Sequence, residues 1–394
     1  MLTKIDLRLV VVVLFFICSL CTASLYAQER DIAGFELVLD QDHYADFLLP
    51  SVLPQGRNYT IGGRVTVFGY KTDNDKLGLP YVRKQIEGFV VKPILKDLQF
   101  RLEQLRHDIS FIANGFTPTH ISDETSVYNV DRRDTGYELA ADRPFSSFTG
   151  FRSTRRYEGS RITATTGRKI DYALNSSFTF GVAGLGLTEL VQKFFHGIDN
   201  FGTSRPVPTL WETDETKDIP TGQALPAGFP LFMYSLSVES VVFRYKKILQ
   251  LQLRPDVNIG YYTNVGFGFD IGKVMKGEKF IDNLGYTDTN NFSILSVADD
   301  YFAYSLVAGG SARIVLYNAH INGLYGLGDR HFIPFNNTRK IVLEGYVGAK
   351  MQFIKYLELT ASLSTRTPEI KSTNEQRNHY WATLSLKVLL NEYN

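Results

Sequence analysis

The chain has 394 residues, 44% of them hydrophobic and 21% charged, and its 42 Lys+Arg against 41 Asp+Glu leave a formal charge of +1. Neutrality removes the basic field that a phosphate backbone selects, so no nucleic-acid partner is expected. Both cysteines, Cys18 and Cys21, fall in the N-terminal apolar segment, and beyond it neither a disulfide framework nor a thiolate metal site is available.

Residues 1–27 open with Lys4 and Arg8, run apolar from Leu9 to Leu20 and end on Ala27, the layout of a cleaved secretory signal peptide. The run is shorter than the roughly 20 residues a spanning helix needs. Leu20 stands before Cys21 where a lipoprotein signal would carry a small residue. No Pro/Ser-rich linker or composition shift divides the remainder, so residues 28–394 are expected to form one architecture.

In chain order, strands are expected near 34–42, 58–70, 107–116, 145–158, 171–183, 229–244, 247–259, 262–274, 301–316, 340–354, 356–366 and 378–390. The period of two is plainest late in the chain. In "YLELTASLSTR", Leu357, Leu359, Ala361 and Leu363 oppose Glu358, Thr360, Ser362 and Ser364. In "YWATLSLKVLL", Tyr380, Ala382, Leu384, Leu386 and Val388 share a face. In "ILQLQLRPD", Leu249, Leu251 and Leu253 oppose Gln250, Gln252 and Arg254. Such alternation serves a soluble sandwich or a membrane barrel equally. The export signal, the strand lengths and aromatics near strand ends (Tyr261, Tyr262, Tyr301, Phe302, Tyr356, Tyr380, Trp381) favour an all-β transmembrane antiparallel barrel of about 12 strands.

"FRYKKILQ" and "FIKYLEL" read as tight periplasmic turns, and 43–57, 117–144, 185–228, 317–339 and 367–377 as outer loops. The connections 71–106 and 275–300 are longer than periplasmic turns should be, and "KPILKDLQFRLEQLRHD" in the first is helix-like. A second, short amphipathic helix is expected in the outer loop after the fifth strand, where Leu187, Leu190, Val191, Phe194, Phe195 and Ile198 recur at helical spacing.

Gln192 and His196 lie one turn apart on the flank of that helix. They are either solvated polar groups of a rim helix or a base held beside an apolar surface. In "LVLDQDHYADF", Asp40, Gln41 and Asp42 close the first strand either as hard oxygen donors suited to calcium or as the acidic loop entry common on any barrel. "NYTIGG" opens the second strand opposite them, with Thr60 an ordinary strand residue or a site residue. Arg143 in "ADRPFSSF" serves a phosphate or carboxylate, or pairs with a loop acid such as Asp142.

Taken in order, "LDQDHY", "NYTIGG", "GFTPTHI", "ADRPF" and "GVAGLGLTELVQKFFHGI" resemble the outer-membrane lipid A 3-O-deacylases over residues 34 to 275. The resemblance implies a twelve-stranded barrel and an esterase that removes the 3-linked acyl chain of lipid A in lipopolysaccharide. It makes His196 the base that activates water, Gln192 an orienting group, Asp42 the holder of a calcium ion, Thr60 and Gln41 site residues, and Arg143 a partner for a lipid A phosphate. A monomer in the outer membrane of a Gram-negative bacterium follows. Two positions depart from the family's pattern: Gln41 replaces an Asn and Ile61 replaces the Asn of its Tyr-Thr-Asn-Gly motif. Those departures motivate two alternatives, a non-catalytic barrel (pore, adhesin or lipid-binding protein) and a phospholipase. No Gly-x-Ser-x-Gly elbow occurs in the chain.

Overall fold

The computed structural model describes residues 33–41, 61–69, 78–97, 101–116, 144, 146–162, 169–184, 224–246, 248–276, 302–324, 332–353, 357–371 and 378–390. Twelve antiparallel strands form one closed barrel: β1 (Gly34–Gln41), β2 (Ile61–Phe68), β3 (Arg101–Phe116), β4 (Ser146–Ile162), β5 (Lys169–Ala183), β6 (Pro230–Tyr245), β7 (Leu249–Gly260), β8 (Tyr262–Lys276), β9 (Phe302–Asn318), β10 (Ile341–Phe353), β11 (Leu357–Arg366) and β12 (His379–Leu389). Closure comes from β1, which pairs with β2 on one side and β12 on the other, Gly34 facing both Phe68 and Leu389. Every expected strand is present, shifted by a few residues at its ends.

The pleat sorts side chains as the alternation requires. On β11, Leu357, Leu359, Ala361 and Leu363 face outward, and Glu358, Thr360, Ser362 and Ser364 are buried inside. Leu384 and Leu386 on β12 are exposed beside buried Thr383, Ser385 and Lys387. The outer wall presents Phe151, Phe180, Phe232, Phe267, Ile314 and Val347. An exposed apolar wall around a buried polar interior is what lipid outside demands, because the sheet has no free edge and the apolar faces meet hydrocarbon.

The two ends differ. β1 starts and β12 finishes at the end where β6 passes to β7 and β10 to β11, so this end is periplasmic, and β1 passes to β2, β5 to β6 and β9 to β10 at the other, outer end. Phe302 and Phe353 pack at the periplasmic end with centroids 5.5 Å apart, as an aromatic girdle should. Tyr261, Tyr262 and Trp381 do not join a girdle. Trp381 has the opposite parity to outward Ala382 and is buried against Phe116, while Tyr261 and Tyr262 line a luminal cavity.

At mid-height the lumen is a packed polar core. Arg64 Nη2 reaches Glu36 Oε2 at 3.0 Å, Ser385 Oγ donates to Glu36 Oε1 at 2.7 Å, and Lys387 Nζ reaches Glu358 at 3.3 Å. Farther round, Glu239 accepts from Arg156 (2.8 Å), Asn175 (2.7 Å) and Gln252 (2.8 Å). Glu36, Asn175, Thr179 and Asp270 have no measurable exposure.

The helix between β2 and β3, α1 (Leu79–Asp97), lies earlier than expected. The helix-like stretch 92–108 contributes only its first part, and β3 begins at Arg101. Gly88 and Pro93 weaken α1 locally; packing holds it instead. Val91 is buried with Tyr157, Leu174 and Leu236, side chains of outward parity, so α1 lies on the outer wall of β3–β6. That wall carries polar groups facing outward. Arg155 donates to Glu87 of α1 at 2.8 Å and to Tyr157 at 3.1 Å, with His107 Nδ1 3.4 Å from its Nε. Arg83 completes the cluster 3.3 Å from Glu87. The helix at residues 187–198 lies outside the described residues.

Two outcomes test this arrangement. Val347→Arg, near the middle of β10 on the lipid face, is expected to cost about 2–4 kcal/mol, read from the urea midpoint of folding into phospholipid vesicles. Glu87→Ala removes the carboxylate that Arg83 and Arg155 share under α1 and is expected to cost about 3–5 kcal/mol in the same measurement.

Candidate functional site at the outer mouth

Five adjacent strands deliver the family-like segments to one place. Gln41 pairs with Ile61, Ile61 with Gly115 and Gly115 with Ser147, and the Gly184 N–H donates to the Ser147 carbonyl at 3.1 Å. One rung at the outer end therefore joins the ends of "LDQ", "IGG", "GF", the start of β4 and the exit of β5. The inward row beneath it reads Thr383, Asp40, Gly62, Asn114 and Phe148. Asp40 is buried, and Gln41, next along the strand, takes the outward parity of Leu39. Of the residues singled out in the sequence, Gln41 is described in this position; Asp42, Thr60, Arg143, Gln192 and His196 lie outside the described residues.

The loop that carries Gln192 and His196 has its roots pinned over the lumen. It leaves at Gly184, with φ of 73° and no room for a Cβ, which would lie 2.7 Å from the Ala227 Cα. It returns through Leu225, buried with Ile112, Phe148, Ala183, Leu231 and Ala319. Gly228 then donates to the Ala183 carbonyl at 2.8 Å, and β6 begins. These apolar contacts cover the barrel mouth on the β3–β6 side.

Beside them a luminal cavity of about 100 Å³ is lined by Asn114, Arg152, Tyr261, Arg313, His320, Glu344 and Arg366, among others. His320 is in the one-turn helix α2 (Ala319–Asn322), where Asn318 caps by accepting from the His320 N–H at 3.1 Å. Its ring meets Tyr261 edge-on at 5.4 Å, with Phe116 and Phe148 at 6.2 and 6.5 Å. Burial pushes the Tyr261 phenol up to about 12, against the opposite pull of Arg152, so the hydroxyl keeps its proton at neutral pH. Glu344 gathers the cations, pairing with both Arg313 and Arg366; the Arg366 Nε bond is 2.6 Å. Asp256 lies 3.6 Å from Arg313, and Glu369 lies 3.9 Å from Arg366. Sequence reading missed this cluster. The "NAHING" segment, with Asn318 as N-cap and Gly323 (φ 62°) as C-cap, was the one local signal for α2.

The oxygens of Asp40 and Asn114, on either side of Gly62, are of the hard type that calcium accepts. Among the described residues no three His, Cys, Asp or Glu are grouped to hold a metal.

No protein-family model and no curated protein sequence matches the chain. Among solved structures it is similar to LpxR from Salmonella typhimurium, with a TM-score of 0.57 and 13% identity, covering 91% of this chain and 100% of that one. An outer-membrane channel from Pseudomonas putida F1 matches at a TM-score of 0.36 and 7% identity, over 91% and 96% of the chains. The first likeness shows a shared barrel fold.

Glu344→Ala leaves Arg313 and Arg366 with weaker, longer pairings to Asp256 and Glu369. The expected loss is about 3 kcal/mol of stability, measured as a lower urea midpoint in vesicles.

Proposed function

We propose that this protein is an outer-membrane esterase of the lipid A 3-O-deacylase type, exported through a cleaved signal peptide (residues 1–27) and acting as a monomeric barrel over 28–394. The observation that carries the reading is the rung Gln41–Ile61–Gly115–Ser147, closed by Gly184, which gathers the flanks of all five family-like segments at the outer end. The LpxR-like fold supports it. So does the division of polarity: acyl chains have the apolar outer wall to lie on, and a phosphorylated head group has a polar mouth.

In this mechanism His196 takes a proton from water as the oxygen attacks the ester carbonyl, then returns it to the departing 3-hydroxyl. Gln192, four residues before His196 in the sequence, orients the water or the ring. Thr60 and Gln41 border the site, and Arg143 meets a lipid A phosphate through paired N–H bonds. Asp42, two residues beyond Asp40 in the sequence, would hold a calcium ion, which when bound supplies positive charge to the developing oxyanion.

Buried side chains across the mid-lumen weigh against the pore alternative. Expression of wild type and His196→Ala, followed by mass spectrometry of lipid A, decides the matter. Wild type is expected to release a 3-hydroxyacyl chain, with chelation stopping release and His196→Ala lowering it by about 10²–10⁴-fold. Full activity in His196→Ala overturns the mechanism. Release of acyl chains from phospholipid but not from lipid A transfers the reading to a phospholipase.

A further inference from the structure

The rung on which β1 begins runs from Gly34 through Phe68, Asp108, Thr154, Ser177 and Ser235. Strands β3–β6 continue past it toward the periplasm, to Arg101, Ile162, Lys169 and Tyr245. The outward side chains next to and below that rung include His107, Ser153, Arg155 and Ser176, a polar patch on a wall that is otherwise lipid-facing. A charge exposed to hydrocarbon at such a place is costly. α1 covers the patch, and Glu87 supplies the countercharge to Arg155.

The opposite side of α1 then takes the wall's place. Phe89 is 84% exposed, the most exposed large apolar side chain among the described residues, and Tyr81 and Val82 are exposed with it. Lys92 and Lys96 are exposed toward the C-terminal, strand-joining end of the helix. Farther toward the outer end, the same four strands expose Phe111, Phe151, Phe180 and Phe232. The exposed face of α1 is therefore continuous with the lipid-facing belt, and carries cations where that belt ends.

We infer that α1 is an interfacial helix whose exposed face binds the phospholipids of the periplasmic leaflet, with Tyr81, Val82 and Phe89 in the acyl layer and Lys92 and Lys96 on lipid phosphates. Three observations fit this occupant: the helix is fixed to the lipid-facing wall by buried ion pairs, its apolar residues adjoin the belt, and its lysines complement anionic head groups. The inference stands apart from the esterase reading, since it concerns the other end of the barrel and needs no catalysis.

The test uses the full chain folded into vesicles of phosphatidylethanolamine and phosphatidylglycerol, with and without brominated acyl chains. Phe89→Trp adds one fluorophore to Trp211 and Trp381, and the difference from wild type isolates it. The added emission is expected to be blue-shifted and to lose most of its intensity with brominated lipid. Lys92→Gln with Lys96→Gln is expected to abolish any further blue shift that phosphatidylglycerol produces over phosphatidylethanolamine alone. Emission at the wavelength of water-exposed tryptophan overturns the inference. Blue-shifted emission that bromine does not quench also overturns it, because the face is then covered by protein, whether a second copy or another segment. Should Phe89→Trp fail to fold, Tyr81→Trp reads the same face by the same criteria.

Discussion

A bilayer offers no water to a backbone N–H or C=O, so a chain that crosses it with strands must close the sheet. Here closure falls to β1, eight residues long and paired along its whole length on both sides. Everything else in the structure adapts to that requirement. With no edge left and apolar side chains turned to lipid, the polar half of every strand faces a narrow lumen. The chain neutralises this crowd internally: Glu36 with Arg64, Glu239 with Arg156, Asn175 and Gln252, and Glu344 with Arg313 and Arg366. Buried pairs of this kind add little net stability over apolar packing, yet removing one member is expensive. Their effect is to fix register, because a slip of one residue would send these charges into lipid.

Register is in turn what assembles the outer mouth. Gln41 and Gly184 are far apart in sequence, and the segments they end are brought together through three cross-strand pairings and one terminal hydrogen bond. Gly62 lies between Asp40 and Asn114 in the inward row. The loop after β5 cannot swing wide at its roots, since Leu225 is held in the apolar cluster that includes Phe148 and Ala319. A chemistry that needs groups from several loops benefits from such fixed departure points.

The strands were legible because a period of two survives in nearly every one of them, and the faces of β7, β11 and β12 follow from Gln252, Thr360 and Ser385 alone. α1 was misplaced for a physical reason. Its sequence, with Gly88 and Pro93, is a poor helix by local preference, whereas Leu95, Leu102 and Leu105 imitate helical spacing across a break at which β3 starts. Trp381 was read as a girdle residue because an aromatic near a strand end does not announce its face; the parity of Ala382 decides it. The cavity cluster was invisible for a different reason. His320, Glu344 and Arg366 come from three separate segments, and only closure sets them around one space.

α1 and the outer mouth answer opposite problems at opposite ends. At the mouth the lumen would be open to the outside, and the chain folds inward, Leu225 and Ala319 covering apolar Ile112 and Phe148. At the periplasmic end the short β1 and β2 stop while β3–β6, of 15 to 17 residues, project beyond them. The projecting wall carries Arg155 and His107 outward, and neither lipid nor an apolar helix could satisfy them. The connection that must join short β2 to long β3 is already adjacent to that wall. Placing Arg83, Glu87 and Val91 on one side of α1 lets the same connection neutralise the patch and bury Tyr157 and Leu174. An unusually long periplasmic connection is thus the consequence of unequal strand lengths, and a helix of indifferent propensity is stable there because the wall beneath it supplies both charge and apolar surface.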